Sequence, residues 1–231
     1  MRLLDRDGPA QQMNSDQWRY PRGVIDPPGP IVPSGGPLQL QLHERGVWDP
    51  AAQYWGEPED MIAASIAQVI AGGPRMEFEF EQILPGQGDP DSDDAIIEAM
   101  ELRDRGDAAA AIELLGGLLE RDARCLDAHA HLGLLAFNAG DAQLALGHYA
   151  AGVQIAERSL PEPFNGVLPW GWIDNRPFLR CLHGLAVSAW CLGEHDRAET
   201  LCWTLLWLSP GDNQGVSGLL PEIIAGARWH S

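Results

Sequence analysis

The sequence predicts an all-α protein: a stack of about three helical hairpins closed by a C-terminal capping helix and preceded by a partly disordered N-terminal arm. Three observations carry this. Between Ser92 and Pro210, the pairs Gly106-Asp107, Gly140-Asp141 and Gly193-Glu194 each interrupt two apolar, alanine-rich segments of helical spacing. The first two pairs lie 34 residues apart and the last two 53, the same period with an insertion of 19. On that frame small residues recur where helices must approach closely, Ala99, Gly133 and Ala186 at one crossing and Ala111, Ala145 and Ala198 at another. Leu115, Tyr149 and Cys202 fill the equivalent larger slot, and Leu132 and Leu185 precede the first crossing.

Composition sets the bounds. A chain of 231 residues with 45% hydrophobic content buries one core over its last 140 or so positions. Seven of the eighteen prolines fall in the first forty residues, so residues 1–43 are expected to be largely disordered. Fifteen Lys and Arg against 33 Asp and Glu leave a formal charge of -18, which repels a phosphate backbone and excludes nucleic acid as a partner. The balance suits solubility or a basic partner. Cys125, Cys181, Cys191 and Cys202 form no C-x-x-C pair and read as reduced structural thiols. Met1 to Gln12 has charges at Arg2, Asp5, Arg6 and Asp7 and no apolar core of signal-peptide length, so no signal peptide is expected there, and no stretch approaches the ~20 apolar residues of a span. A membrane partner is therefore not expected, and the compartment expected is the cytoplasm.

Taken in order, Pro21 to Pro37 favours extended conformations. Leu38 to Leu42 alternates Leu and Gln, a single short strand with no obvious second strand to pair with it. Residues 44–91 form an arm with one helix, Met61 to Ile70, ending at Gly72-Gly73, and Trp48 and Trp55 are expected to tether it to the stack. After the acidic linker Gly86 to Asp94, Asp91, Ser92 or Asp93 caps the first helix of a domain spanning 92–231. The hairpins are expected at 93–105 with 108–121, 126–139 with 142–157, and 177–192 with 195–208. The insertion, about 158–176, is rich in proline and aromatics, including Trp170 and Trp172, and folds back on the stack as a groove lid or a structural plug. Asp212 to Gly215 caps a last helix lying on Trp203 and Trp207, Pro221 kinks or restarts it, and Trp229 ends near its close.

The 34-residue period, and the run GLAVSAWCLGEHDRAETLCWTLLWLSP from Gly184 to Pro210, resemble the tetratricopeptide repeat over about half the chain. The first unit departs from the pattern at Glu98 and Ala123, the second at Gly152 and in lacking a terminal proline. CLDAHAHLG from Cys125, GVLPWGWIDNRPFLRCLHG from Gly166 and SPGDNQG from Ser209 resemble a family of uncharacterised bacterial cytoplasmic tetratricopeptide proteins, and RGVWDP and WGEPEDMI extend the likeness back to about residue 44. The resemblance implies a right-handed stack and a non-catalytic protein or peptide binding scaffold. It also implies a concave groove lined by Asp127, Ala130, Leu134 and Phe137 of the second unit and Arg180, His183, Val187 and Trp190 of the third. Members that grip chaperone tails need Lys and Asn where this chain has Ile96, Met100 and His131, which disfavours that activity.

The residues whose chemistry exceeds what stacking needs define the candidate site. Arg176, Arg180 and His183 share a helix face and offer donors for a carboxylate or phosphate. Trp170, Trp172, Phe137 and Trp190 offer apolar walls, Asn138 a backbone-directed amide, and Asp127 a groove carboxylate. The expected occupant is an acidic or C-terminal segment of another protein between the second and third units, anchored by Arg180. The competing reading pairs the arginines with Asp127, Asp174 or Asp212 inside the fold. His129 and His131 with Cys125, Cys181 and His183 make no metal-ligand spacing, and no nucleophile or nucleotide motif occurs, so no cofactor is expected. The alternatives are an acidic antagonist, of immunity type, that caps a basic partner and, behind it, a metal-binding or enzymatic protein.

Overall fold

A computed structural model describes residues 39–53, 64–82 and 94–230. Helix dominates. The elements are β1 (Gln41–Trp48), α1 (Pro50–Gln53), α2 (Ala64–Ile70), β2 (Arg75–Glu81), α3 (Ala95–Asp104), α4 (Ala108–Arg121), α5 (Leu126–Asn138), α6 (Ala142–Glu157), α7 (Arg176–Cys191), α8 (His195–Leu208) and α9 (Val216–Ile224). From α3 onward each helix packs on the next, and α5 also meets α7, giving a consecutive stack of three hairpins closed by α9. The hairpins fall within two residues of the expected bounds.

The Gly-Asp pairs work because one residue ends a helix and the next begins another. Gly106, Gly140 and Gly193 sit at φ of +86°, +84° and +82°, a conformation a side chain disfavours. The following N–H groups then reach back to close the finished helices: Asp107 donates to Leu102 O, Asp141 to Ala136 O and Glu194 to Ala189 O, at 2.8–3.0 Å. Asp107 and Asp141 also accept from the backbone N–H of Ala110 and Leu144, capping α4 and α6, whereas Glu194 makes no such bond. The cap of α3 is Asp94, which accepts from Ile96 N–H; Asp91, Ser92 and Asp93, the residues expected there, lie outside the described residues.

The crossings are as tight as the small residues imply. Ala99, Ala111, Ala145, Ala186 and Ala198 are all buried, and so are Leu115, Tyr149 and Cys202. Tyr149 of α6 projects between α5 and α7: a Cβ on Gly133 would lie 2.6 Å from its ring, and one on Gly184 would overlap it. Gly152, the departure from the second unit's alanine, has an equally local cause, since a Cβ there would lie 2.5 Å from Cys181 Sγ. Two apolar clusters result, a smaller one among α3, α4 and α5 and a larger one from α5 through α9 that takes in the arm.

The arm differs from expectation. The short strand does have a partner: β1 pairs antiparallel with β2, Gln41 opposite Glu81 and Trp48 opposite Arg75, with a register shift between Glu44 and Gly46. Trp48 is buried and tethers the arm as expected, through Arg75, whose guanidinium lies 5.0 Å from the Trp48 ring centroid and 3.8 Å from that of Trp207 and donates to Trp207 O at 2.8 Å. Trp207 therefore carries the arm. Trp55 and Pro21 to Pro37 lie outside the described residues.

The insertion packs as a structural element. Val167 bridges the free edge of β2, accepting from Phe78 N–H at 2.9 Å and donating to Met76 O at 2.8 Å, while Leu168 N–H donates to Leu208 O at 2.7 Å. Phe164 meets Phe78 with ring centroids 5.3 Å apart. Buried Asn175 accepts from Phe80 N–H and donates to Phe78 O and Pro169 O, so its one amide joins ribbon and insertion. At the other end, Asp212 accepts from Val216 and Ser217 N–H and caps α9. Pro221 does not restart that helix; it lies inside α9, and Ala225 N–H reaches Pro221 O at 3.1 Å.

Two glycine substitutions should separate packing from propensity. Gly184→Ala should destabilise the fold by about 1–3 kcal/mol, because the methyl group meets the Tyr149 ring. Gly116→Ala in the interior of α4, where nothing lies within 4 Å, should stabilise it by about 0.5–1 kcal/mol. Urea unfolding of the two variants is the measurement.

Candidate functional site

The face shared by α5 and α7 carries two separate groups of the expected residues. Asp127 and Arg180 lie in the first and second turns of their helices, Phe137 and Trp190 at the far ends. Ten residues separate the members on each helix, about 15 Å at the helical rise. Nearest the insertion, Arg180 Nη1 donates to Asp127 Oδ1 at 3.0 Å, and its guanidinium lies 5.6 Å from the Trp170 ring centroid. Arg176 approaches the same ring at 5.5 Å and donates through Nε to Trp170 O at 3.0 Å. Both arginines are thereby engaged within the fold, one with a carboxylate the sequence had offered as its partner. Burial raises the Asp127 carboxyl above its ordinary value even with Arg180 beside it.

Several expected members lie elsewhere. His183 does not join the arginines; it is half-buried, with Asp212 the acidic group that acts on it, and burial lowers its imidazole. Trp172 belongs to the ribbon, donating through Nε1 to Glu77 at 3.1 Å with Arg45 over its ring. Asn138 is exposed at the end of α5. His129 and His131 are buried, and burial lowers both to about 4; for His131 the cations Arg180 and Arg103 add to the effect.

The far end holds a feature with no periodic signal in the sequence. After α9 the chain crosses to α7 and α5, and Trp229 enters between Phe137 and Trp190, edge to face with both, at 5.9 Å and 4.9 Å between ring centroids. One backbone carbonyl, Ala227 O, receives Trp190 Nε1–H at 2.7 Å and faces His195 Nε2 at 2.9 Å. His195 Nδ1 faces Gly193 O at 3.0 Å, so a neutral ring donates to one carbonyl at a time and an imidazolium to both. Ala225, Gly226, Arg228 and His230 are exposed, leaving Ala227 and Trp229 as the attachment points. Ala227 N–H in turn donates to Glu222 O at 2.9 Å and closes α9, and Trp229 is half-buried against the larger apolar cluster.

Among the described residues no group of three or more His, Cys, Asp or Glu side chains is placed to hold a metal ion. A cavity of about 150 Å³ lies between the start of β1 and the α4–α5 turn, lined by Gln39, Gln82, Arg124 and Cys125 among others. Its Cys125 thiol is pushed up to about 12 by burial and stays protonated. Among the described residues no helix is long and apolar enough to cross a membrane. Compared with known proteins, the chain matches no family model and no curated sequence.

Two outcomes follow for this face. Arg180→Ala should lower stability by about 1 kcal/mol, between the values for exposed and buried pairs, because it leaves the Asp127 carboxylate without its cation; Asp127→Asn in the same background should recover part of it, read by thermal melting. His129 and His131 titrate near 4 when folded and near 6.5 when unfolded, so the unfolded chain takes up more protons as pH falls through that window. Stability should be full above about pH 7.5 and roughly 3 kcal/mol lower by pH 5.5, and His129→Gln with His131→Gln should flatten that slope in urea titrations.

Proposed function

We propose that the chain is a non-catalytic scaffold of the tetratricopeptide type that binds a peptide segment of another protein on the face shared by α5 and α7. One observation carries this reading: that face already holds a segment without regular secondary structure, residues 227–229, by a backbone carbonyl and a single aromatic side chain. Paired donors on a main-chain oxygen recognise any peptide, and a slot between two aromatic rings selects the side chain. Binding belongs at the Phe137 and Trp190 end, because Arg180 and Arg176 are occupied by Asp127 and Trp170 at the other. Free thiols at all four cysteines favour a reducing compartment, in keeping with the cytoplasm.

Selection of a displayed random peptide library on the immobilised full chain tests the proposal. Enriched peptides should share an aromatic residue and lose at least tenfold in affinity on Phe137→Ala, with little change on Leu144→Ser, an exposed position on α6. A library that yields no binder, or binders indifferent to Phe137, would overturn it.

A further inference from the structure

We infer that the Phe137–Trp190 slot takes a tryptophan-bearing basic segment supplied by another molecule, and that residues 227–229 are its resident competitor. The inference rests on the peptide-binding reading above and adds the chemistry of the ligand. Its first support is the occupant itself. The slot holds an indole, and the donors above it hold the carbonyl two residues earlier, a spacing that defines a short linear recognition pattern of acceptor, any residue, tryptophan.

The second support is charge. Between Ala225 and Ser231 the chain has Arg228 and His230 and no acidic residue, within a protein of formal charge -18. The helix turns that flank the slot carry Asp141, Glu194 and Asp196, all exposed, against one cation, Arg197, which pairs with Glu194 at 2.8 Å, so acidic charge remains in excess there. A cationic residue next to the tryptophan therefore meets a field of opposite sign, which raises the encounter rate and disfavours acidic segments. The third support is exposure: Arg228 stands in solvent between the two residues that meet α5 and α7, so an incoming segment has to replace the contacts of one carbonyl and one indole, those of Ala227 O and Trp229. A ligand of the same pattern competes directly, and its apparent affinity is reduced by the fraction of molecules in which the slot is filled.

The probe is a synthetic peptide of residues 225–231, Ala-Gly-Ala-Arg-Trp-His-Ser, carrying an N-terminal fluorophore, with anisotropy as the readout. The full-length Trp229→Ala chain should bind it at least tenfold more tightly than the wild type. A peptide with Glu in place of the arginine should bind that variant at least threefold more weakly, and the difference should shrink as salt rises. A second measurement on the wild-type chain, photo-crosslinking of a peptide with benzophenone in place of the indole, should label α5 and α7. Equal affinity for wild type and Trp229→Ala, absence of binding, crosslinks confined to other helices, or indifference to the Arg-to-Glu change would each overturn the inference. A library that still selects Phe137-dependent binders alongside such a result leaves the scaffold reading standing, so the two fail separately.

Discussion

The stack depends on one close approach: the Tyr149 ring set between the backbones of α5 and α7, at positions where neither helix has a side chain. A six-membered ring between two helices is wide, and only Gly133 and Gly184 make room for it. The ring in turn holds apart the two helices whose far ends form the aromatic slot, so the width of that slot descends from a buried tyrosine and two glycines. Gly152 against Cys181 repeats the arrangement between α6 and α7. Interiors this dense move as units rather than deform, which is why the exposed face of α5 and α7 offers a preformed surface.

Much of the fold was legible in the sequence because its information is local. A Gly-Asp pair ends one helix and caps the next within five residues of chain, and the crossings repeat at a fixed period, so hairpin bounds and buried alanines could be read without knowing any long-range partner. The ribbon was not legible in that way. Met76 to Glu81 alternates apolar and acidic residues, a period-2 signal, yet glutamate is poor strand material in isolation. Its acids are satisfied from distant positions, Glu79 by Arg45, Glu81 by His43 and Glu77 by Trp172.

The candidate site was legible in part. The resemblance placed Phe137 and Trp190 on one face of the stack, and Asp127 stood among three carboxylates offered to the arginines; Trp229 meets both aromatic rings, and Arg180 pairs with Asp127. The sequence did not reveal that the two groups sit at opposite ends of one face, nor that Trp229 and His195 complete the aromatic end. Those contacts depend on the path the chain takes after Ile224, where a short exposed run has no repeat and no apolar stripe to betray its course.

The bridge between β2 and Val167 bears on the order in which the molecule is made. The ribbon leaves the ribosome early, with Phe78 and Phe80 on it, while the chain that covers them, Phe164, Val167, Asn175 and Phe178, is translated some ninety residues later. Until then a strand edge and two phenylalanines are uncovered, a state prone to pairing with neighbouring chains. Arg45 and His43 precede β2 and pair with Glu79 and Glu81 inside the ribbon, whereas Glu77, whose partner Trp172 comes later, keeps a charge on the strand that repels another copy during that interval.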